Sequence, residues 1–132
     1  MNPKPQGLTL SAGLYRGTSL YAALGIIASQ ELDVDRIAAH QLEGGGVARG
    51  VFIASQRGTA QYYADLWYNP DLSGGPGVVT ISVPKADFIS FVVRHGILVE
   101  QAVPTPPTPG QTETLLPFET IPEFDSIATY YP

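Results

Sequence analysis

Four prolines in six residues, Pro104, Pro106, Pro107 and Pro109, set the firmest limit on how this chain folds. Each ring fixes φ and removes a backbone donor, and each disfavours helical conformation in the residue before it. Residues 103–110 are therefore predicted to form a conformationally restricted loop, neither helix nor central strand, with polyproline II as its favoured geometry. Beyond it, residues 111–116 resume an extended pattern that carries Glu113 out of the loop.

The remaining Gly and Pro positions divide the rest of the chain. Pro3, Pro5 and Gly7 favour irregular structure over residues 1–10, before an extended segment brings Arg16 to the inner edge of an early strand. Thr18 and Ser19 suit the cap of an amphipathic helix over residues 20–27, with Leu20, Leu24 and Ile27 as its inward stripe. Residues 33–39 read as a short helical turn, and Gly44, Gly45 and Gly46 as a flexible turn. Residues 50–55 read as a buried strand, followed over 59–67 by a helix facing inward through Ala60, Tyr63, Ala64 and Trp67. The turn at Gly74, Gly75, Pro76 and Gly77 leads into a β-rich strand over 78–83, which Pro84 stops or places at an edge. Residues 88–93 and 97–99 read as extended segments split near His95 and Gly96, and residues 127–131 as a last strand. Short strands with at least two helices, lacking the regular alternation of a doubly wound sheet, give an α+β fold.

A chain of 132 residues is the size of one domain, and 44% hydrophobic residues supply a real core. The single domain is taken as residues 1–132. Seven Lys plus Arg against twelve Asp plus Glu leave a net charge of −5, which argues against a broad phosphate-binding surface for nucleic acid. No Lys or Arg follows Arg94, so a basic C-terminal segment is excluded. With no cysteine there is neither a disulfide nor a thiol nucleophile. No apolar run approaches the roughly 20 residues of a membrane span, and the opening lacks the pattern of a signal peptide.

Several familiar chemistries lose their motif. Gly44, Gly45 and Gly46 precede Val47 rather than the Lys-Ser or Lys-Thr of a phosphate loop, and His40 and His95 show no metalloprotease spacing. No GxSxG elbow surrounds Ser11, Ser19, Ser55 or Ser73. Two polar positions remain. Arg16, beside the permissive Gly17, suits either a bidentate grip on a phosphate or carboxylate, or a structural salt bridge. Glu113 and Gln111 alternate onto one strand face at the exit of the rigid loop.

Three ordered blocks resemble the mono-ADP-ribosyltransferase toxins of the arginine-serine-glutamate type, which cleave NAD and transfer its ADP-ribose. Tyr15, Arg16, Gly17, Thr18 and Ser19 look like the family's opening arginine motif. Residues 50–55, backed by Ala60, Gln61, Tyr62, Tyr63 and Ala64, are similar to its middle strand and following helix. Gly110, Gln111, Thr112, Glu113 and the apolar run to Pro117 closely resemble its Gln-x-Glu strand. The blocks extend from about residue 13 to 117, so the likeness spans most of the chain. It departs in the middle, where the family's Ser-Thr-Ser segment is met only by Ser55. In the polymerase-like register, Phe52 falls at a tyrosine position.

The resemblance implies a split mixed β-sheet core with flanking helices, and NAD consumed as a substrate with no metal required. It assigns catalysis to Glu113, Gln111 and Arg16, with Glu113 stabilising positive charge on the ribose and Gln111 selecting the target side chain. It surrounds NAD with Arg16, Gly17, Thr18, Phe52, Ser55 and Tyr62 or Tyr63. Arg16 would hold a phosphate, and Gly17 would admit the nicotinamide amide. The implied partners are a target protein as acceptor and a cognate immunity protein; no membrane is involved, and the acidic balance argues against a nucleic-acid acceptor. The implied setting is a secreted effector, or one delivered into the cytoplasm of a target cell, free or within a larger toxin. An NAD glycohydrolase toxin, an RNA-directed ADP-ribosyltransferase and a peptide-binding module built on the Pro-rich segment are the alternatives.

Overall fold

The computed structural model describes residues 11–32, 38–41, 47–65, 74–99, 101–102 and 112–132. In chain order its elements are β1 (Ser11–Ser19), α1 (Leu20–Ser29), β2 (Ala38–Gln41), β3 (Val47–Ile53), α2 (Arg57–Asp65) and β4 (Pro76–Pro84). There follow α3 (Lys85–His95), β5 (Gln101–Ala102), β6 (Thr112–Pro117), a 3-10 turn (Phe118–Thr120), α4 (Ile121–Ile127) and β7 (Thr129–Tyr131). The expected turn at Gly44, Gly45 and Gly46, the Pro-rich loop, Trp67 and Gln111 lie outside the described residues.

The strands form two sheets, β1-β4-β7 and β2-β3-β6-β5. Every described ladder is antiparallel, where the resemblance implies a mixed core. Strict alternation drives the first sheet: Val79, Ile81 and Val83 of β4 are completely buried, while Val78, Thr80 and Ser82 between them are partly exposed. They share one core with Leu14, Val51, Ile53, Leu116, Phe91, Phe124 and Tyr130. Each such side chain contributes about 1.5–3 kcal/mol by leaving water. Among the described residues one backbone bridge links the two sheets, where Tyr15 and Ala54 exchange backbone hydrogen bonds of 2.7 and 2.9 Å. Beyond that bridge the described strands part, and the site lies at the parting.

Helix α1 starts as expected, with Ser19 Oγ accepting from the Ala22 amide at 3.1 Å. Its inward stripe differs in part: Ile27 packs against the core as expected, but Ala23 and Ile26 are the buried residues, whereas Leu20 and Leu24 are 37% and 55% exposed. Close contact with β4 selects the small side chain, since a Cβ on Gly77 would stand 2.9 Å from that of Ala23. The helix ends at Gln30, whose φ of 59° places a non-glycine residue in the left-handed region. The Gln30 side chain offsets that strain by donating to the Ile27 and Tyr130 carbonyls and accepting from the Tyr130 amide, all within 2.9 Å.

Four further expectations are corrected. Residues 88–93 are helical within α3 rather than extended, with Phe88 and Phe91 one turn apart facing the core and Gly96 (φ 62°) closing the helix. The β-branched Ile89, Val92 and Val93 suggest a strand, but Ile89 and Val93 lie on the exposed side of the helix. Residues 97–99 are not a strand. Ala38 and Ala39 belong to β2 instead of a helical turn, and the last strand is Thr129–Tyr131 rather than 127–131, because Ile127 ends α4, a helix the sequence reading does not anticipate. Phe124 of α4 packs against Phe88 and Phe91, with ring centroids 6.4 and 5.6 Å apart.

Candidate active site

Register decides what meets Glu113. Strand β6 pairs with β3 so that Phe52 lies opposite Leu115 and Ile53 opposite Thr114. Paired residues share a face, and alternation then puts Glu113 with Phe52 and Ala54, while Val51, Ile53 and Leu116 turn to the core. Helix α2 covers the first face. Its Ala60 and Ala64 are buried, and Tyr63, one turn from Ala60, points the same way. The result is a small hollow of about 160 Å³, including its open mouth, lined by Tyr15, Gly17, Phe52, Ile53, Ala54, Ala60, Tyr63 and Glu113. That figure counts the open space at the mouth; between the packed side chains themselves there is essentially no room for a water molecule.

Glu113 is completely buried. The Tyr63 hydroxyl donates to its Oε2 in a very short hydrogen bond, while Oε1 is buried with no hydrogen-bond partner among the described residues. Burial raises the carboxyl above its ordinary value of 4.5, and the Tyr63 bond opposes that rise by favouring the ionised form. Tyr63 itself is pushed up, first by burial and then by its bond to Glu113 and the carboxylate charge; Arg16 pulls the other way. The phenol therefore keeps its proton. Its ring stacks on Phe52 at 6.1 Å and 10°, and meets Tyr62 edge-on at 5.4 Å.

Arg16 takes a different place from the one expected. Tyr15 and Gly17 line the hollow, and Arg16 between them does not. Its guanidinium reaches across the gap where β1 and β3 part and donates to the Phe52 carbonyl at 3.3 Å. It is half-buried, and its charge acts on Tyr63. Arg16 and Glu113 thus stand at one junction, linked through Phe52 and Tyr63, with the guanidinium beside the hollow rather than inside it. Arg57, which sequence reasoning passes over, lies 5.9 Å over the Tyr15 ring, at the exposed start of α2.

The other expected residues divide. Phe52 and Tyr63 are in the site, and Tyr62 flanks it. Gly17 lines the hollow, but its missing side chain first serves packing, since a Cβ there would lie 1.7 Å from the Ala60 carbonyl oxygen. Thr18 is buried, outside the lining, and Ser55 is exposed past the end of β3. Tyr15, Ile53, Ala54 and Ala60 also line the hollow, though the sequence reading places them in its blocks without a site role; of these, alternation from Gly17 on β1 points to Tyr15. Among the described residues no three His, Cys, Asp or Glu side chains are grouped as metal ligands, and no helix is long and apolar enough to cross a membrane.

Comparison with family models, with curated proteins and with solved structures returns no match for this chain.

Proposed function

We propose that this chain is a mono-ADP-ribosyltransferase that cleaves NAD and passes ADP-ribose to a target protein. The observation carrying the reading is the Glu113 carboxyl, held out of water in an aromatic hollow with one oxygen left without a hydrogen-bond partner among the described residues. An ionised carboxylate so placed is suited to a reaction whose transition state carries positive charge. Rupture of the bond between nicotinamide and ribose C1′ is one, because the leaving pyridine takes the bonding electrons and the sugar becomes oxocarbenium-like. A low-dielectric setting strengthens that attraction.

The aromatic side chains of Tyr15, Phe52 and Tyr63 at the hollow offer a surface for a flat ring such as nicotinamide. Arg57 at the rim and Arg16 behind the hollow provide positive charge for the diphosphate outside it. Gln111 retains its proposed role at the acceptor. Secretion or delivery as a toxin, with an immunity protein in the producing cell, belongs to the same proposal.

Incubation of the purified chain with cell extract and isotopically labelled NAD, followed by mass spectrometry, tests the reading. Label on a protein side chain is expected. Free labelled ADP-ribose alone would assign the chain as a glycohydrolase, and label confined to RNA would replace the protein acceptor.

A further inference from the structure

We infer that Tyr63 is a positioning residue for Glu113, fixing Oε2 so that Oε1 alone is presented to the sugar of the substrate; this rests on the transferase reading above. A free carboxylate has two equivalent oxygens and a broad terminal torsion, so nothing intrinsic selects one of them. The Tyr63 hydroxyl makes that selection by donating to Oε2, leaving Oε1 without a partner among the described residues.

The phenol is itself located by packing. Helix α2 is pressed onto β1 so closely that only glycine fits at position 17, with the Ala60 carbonyl where a Cβ would be. The Tyr63 ring is stacked on Phe52 and braced by Tyr62. Ser55, the one hydroxyl of the middle block that matches the family pattern, is exposed after β3 and forms no part of the lining. Among the described side chains, the charged and titratable groups facing the pair are Tyr62 from α2, and Tyr15 and Arg16 from β1; the end of β3 and the residue after it contribute the non-titratable Phe52, Ile53 and Ala54. None of these changes when Tyr63 becomes phenylalanine, which keeps the stacked ring and removes the single hydroxyl.

The test compares pH profiles of NAD cleavage for the full chain and its Tyr63→Phe variant, with circular dichroism to verify folding. In parallel, the Glu113 carboxyl is titrated by carbon-13 NMR. The hydroxyl favours the ionised carboxylate, so its loss moves both the acid limb of kcat and the NMR midpoint to higher pH. At the optimum kcat falls roughly 10- to 100-fold, while KM for NAD stays within about twofold. An unchanged midpoint, or unchanged kcat with the same acid limb in a wild type that cleaves NAD, overturns the positioning role alone. A folded wild type that cleaves no NAD overturns the transferase reading and this role with it.

Discussion

Burying the Glu113 carboxyl destabilises the folded chain at neutral pH, because ionising it there is harder than in the unfolded state. The sign follows from proton binding. Between the ordinary value of 4.5 and the raised native one, the folded chain holds more proton than the unfolded chain, so stability declines as pH rises through that window and then levels. Glu113→Gln is therefore expected to raise Tm at pH 7–8, with the gain shrinking as pH falls toward 4.5 and below, in a series of thermal melts. The Asp125 carboxyl, also raised by burial, is common to both proteins and cancels in the comparison. A gain in stability paired with a loss of turnover is the pattern of a residue retained for chemistry. A variant that melts lower than wild type at every pH would show that Glu113 supports the fold instead.

Among the elements, α2 matters most, since it carries Tyr63 and rests on Gly17. Gly17→Ala has to displace the helix, so a loss of about 1–3 kcal/mol in denaturant unfolding is expected, together with reduced turnover as the phenol leaves Glu113. Gly13→Ala on the same strand meets nothing within 4 Å and is expected to stay within about 0.5 kcal/mol of wild type. At the end of α1, Gln30→Ala removes three hydrogen bonds while leaving the left-handed backbone, and a loss of about 2 kcal/mol is expected by the same measurement. Strands with clear alternation or flanking turns, such as β4 and β6, are readable from the sequence. The start of α1 is readable too, because its cap is local. Helix α3 is not: its β-branched residues imitate a strand, and Phe88 and Phe91 are arranged by packing on α4, a contact no short window contains.

At the level of the whole molecule, the described strands form two sheets linked by a backbone bridge, with a hollow beside it. The sequence displays the components of that hollow as separate blocks, Arg16 to Ser19, residues 50–55 with Tyr62 and Tyr63, and Glu113. What it does not display is their register. Phe52 opposite Leu115 and Tyr15 opposite Ala54 are pairings between distant segments; with the packing of α2 on Gly17 they put Tyr63 on Glu113 and bring Arg16 to the Phe52 carbonyl. Arg16→Ala is accordingly expected to lower stability as well as NAD affinity, because the same side chain spans the gap between the sheets. Unfolding curves and NAD titration separate the two effects.

The measurement that bears most directly on this reading is nicotinamide release from NAD by the wild type and by Glu113→Gln, at matched folded fraction and saturating NAD. A fall in kcat of about 10²- to 10³-fold, with the variant still binding NAD, is expected of a carboxylate that stabilises the charged sugar. Equal turnover in the two proteins would remove Glu113 from the chemistry, and with it the assignment of the hollow as a site of NAD cleavage.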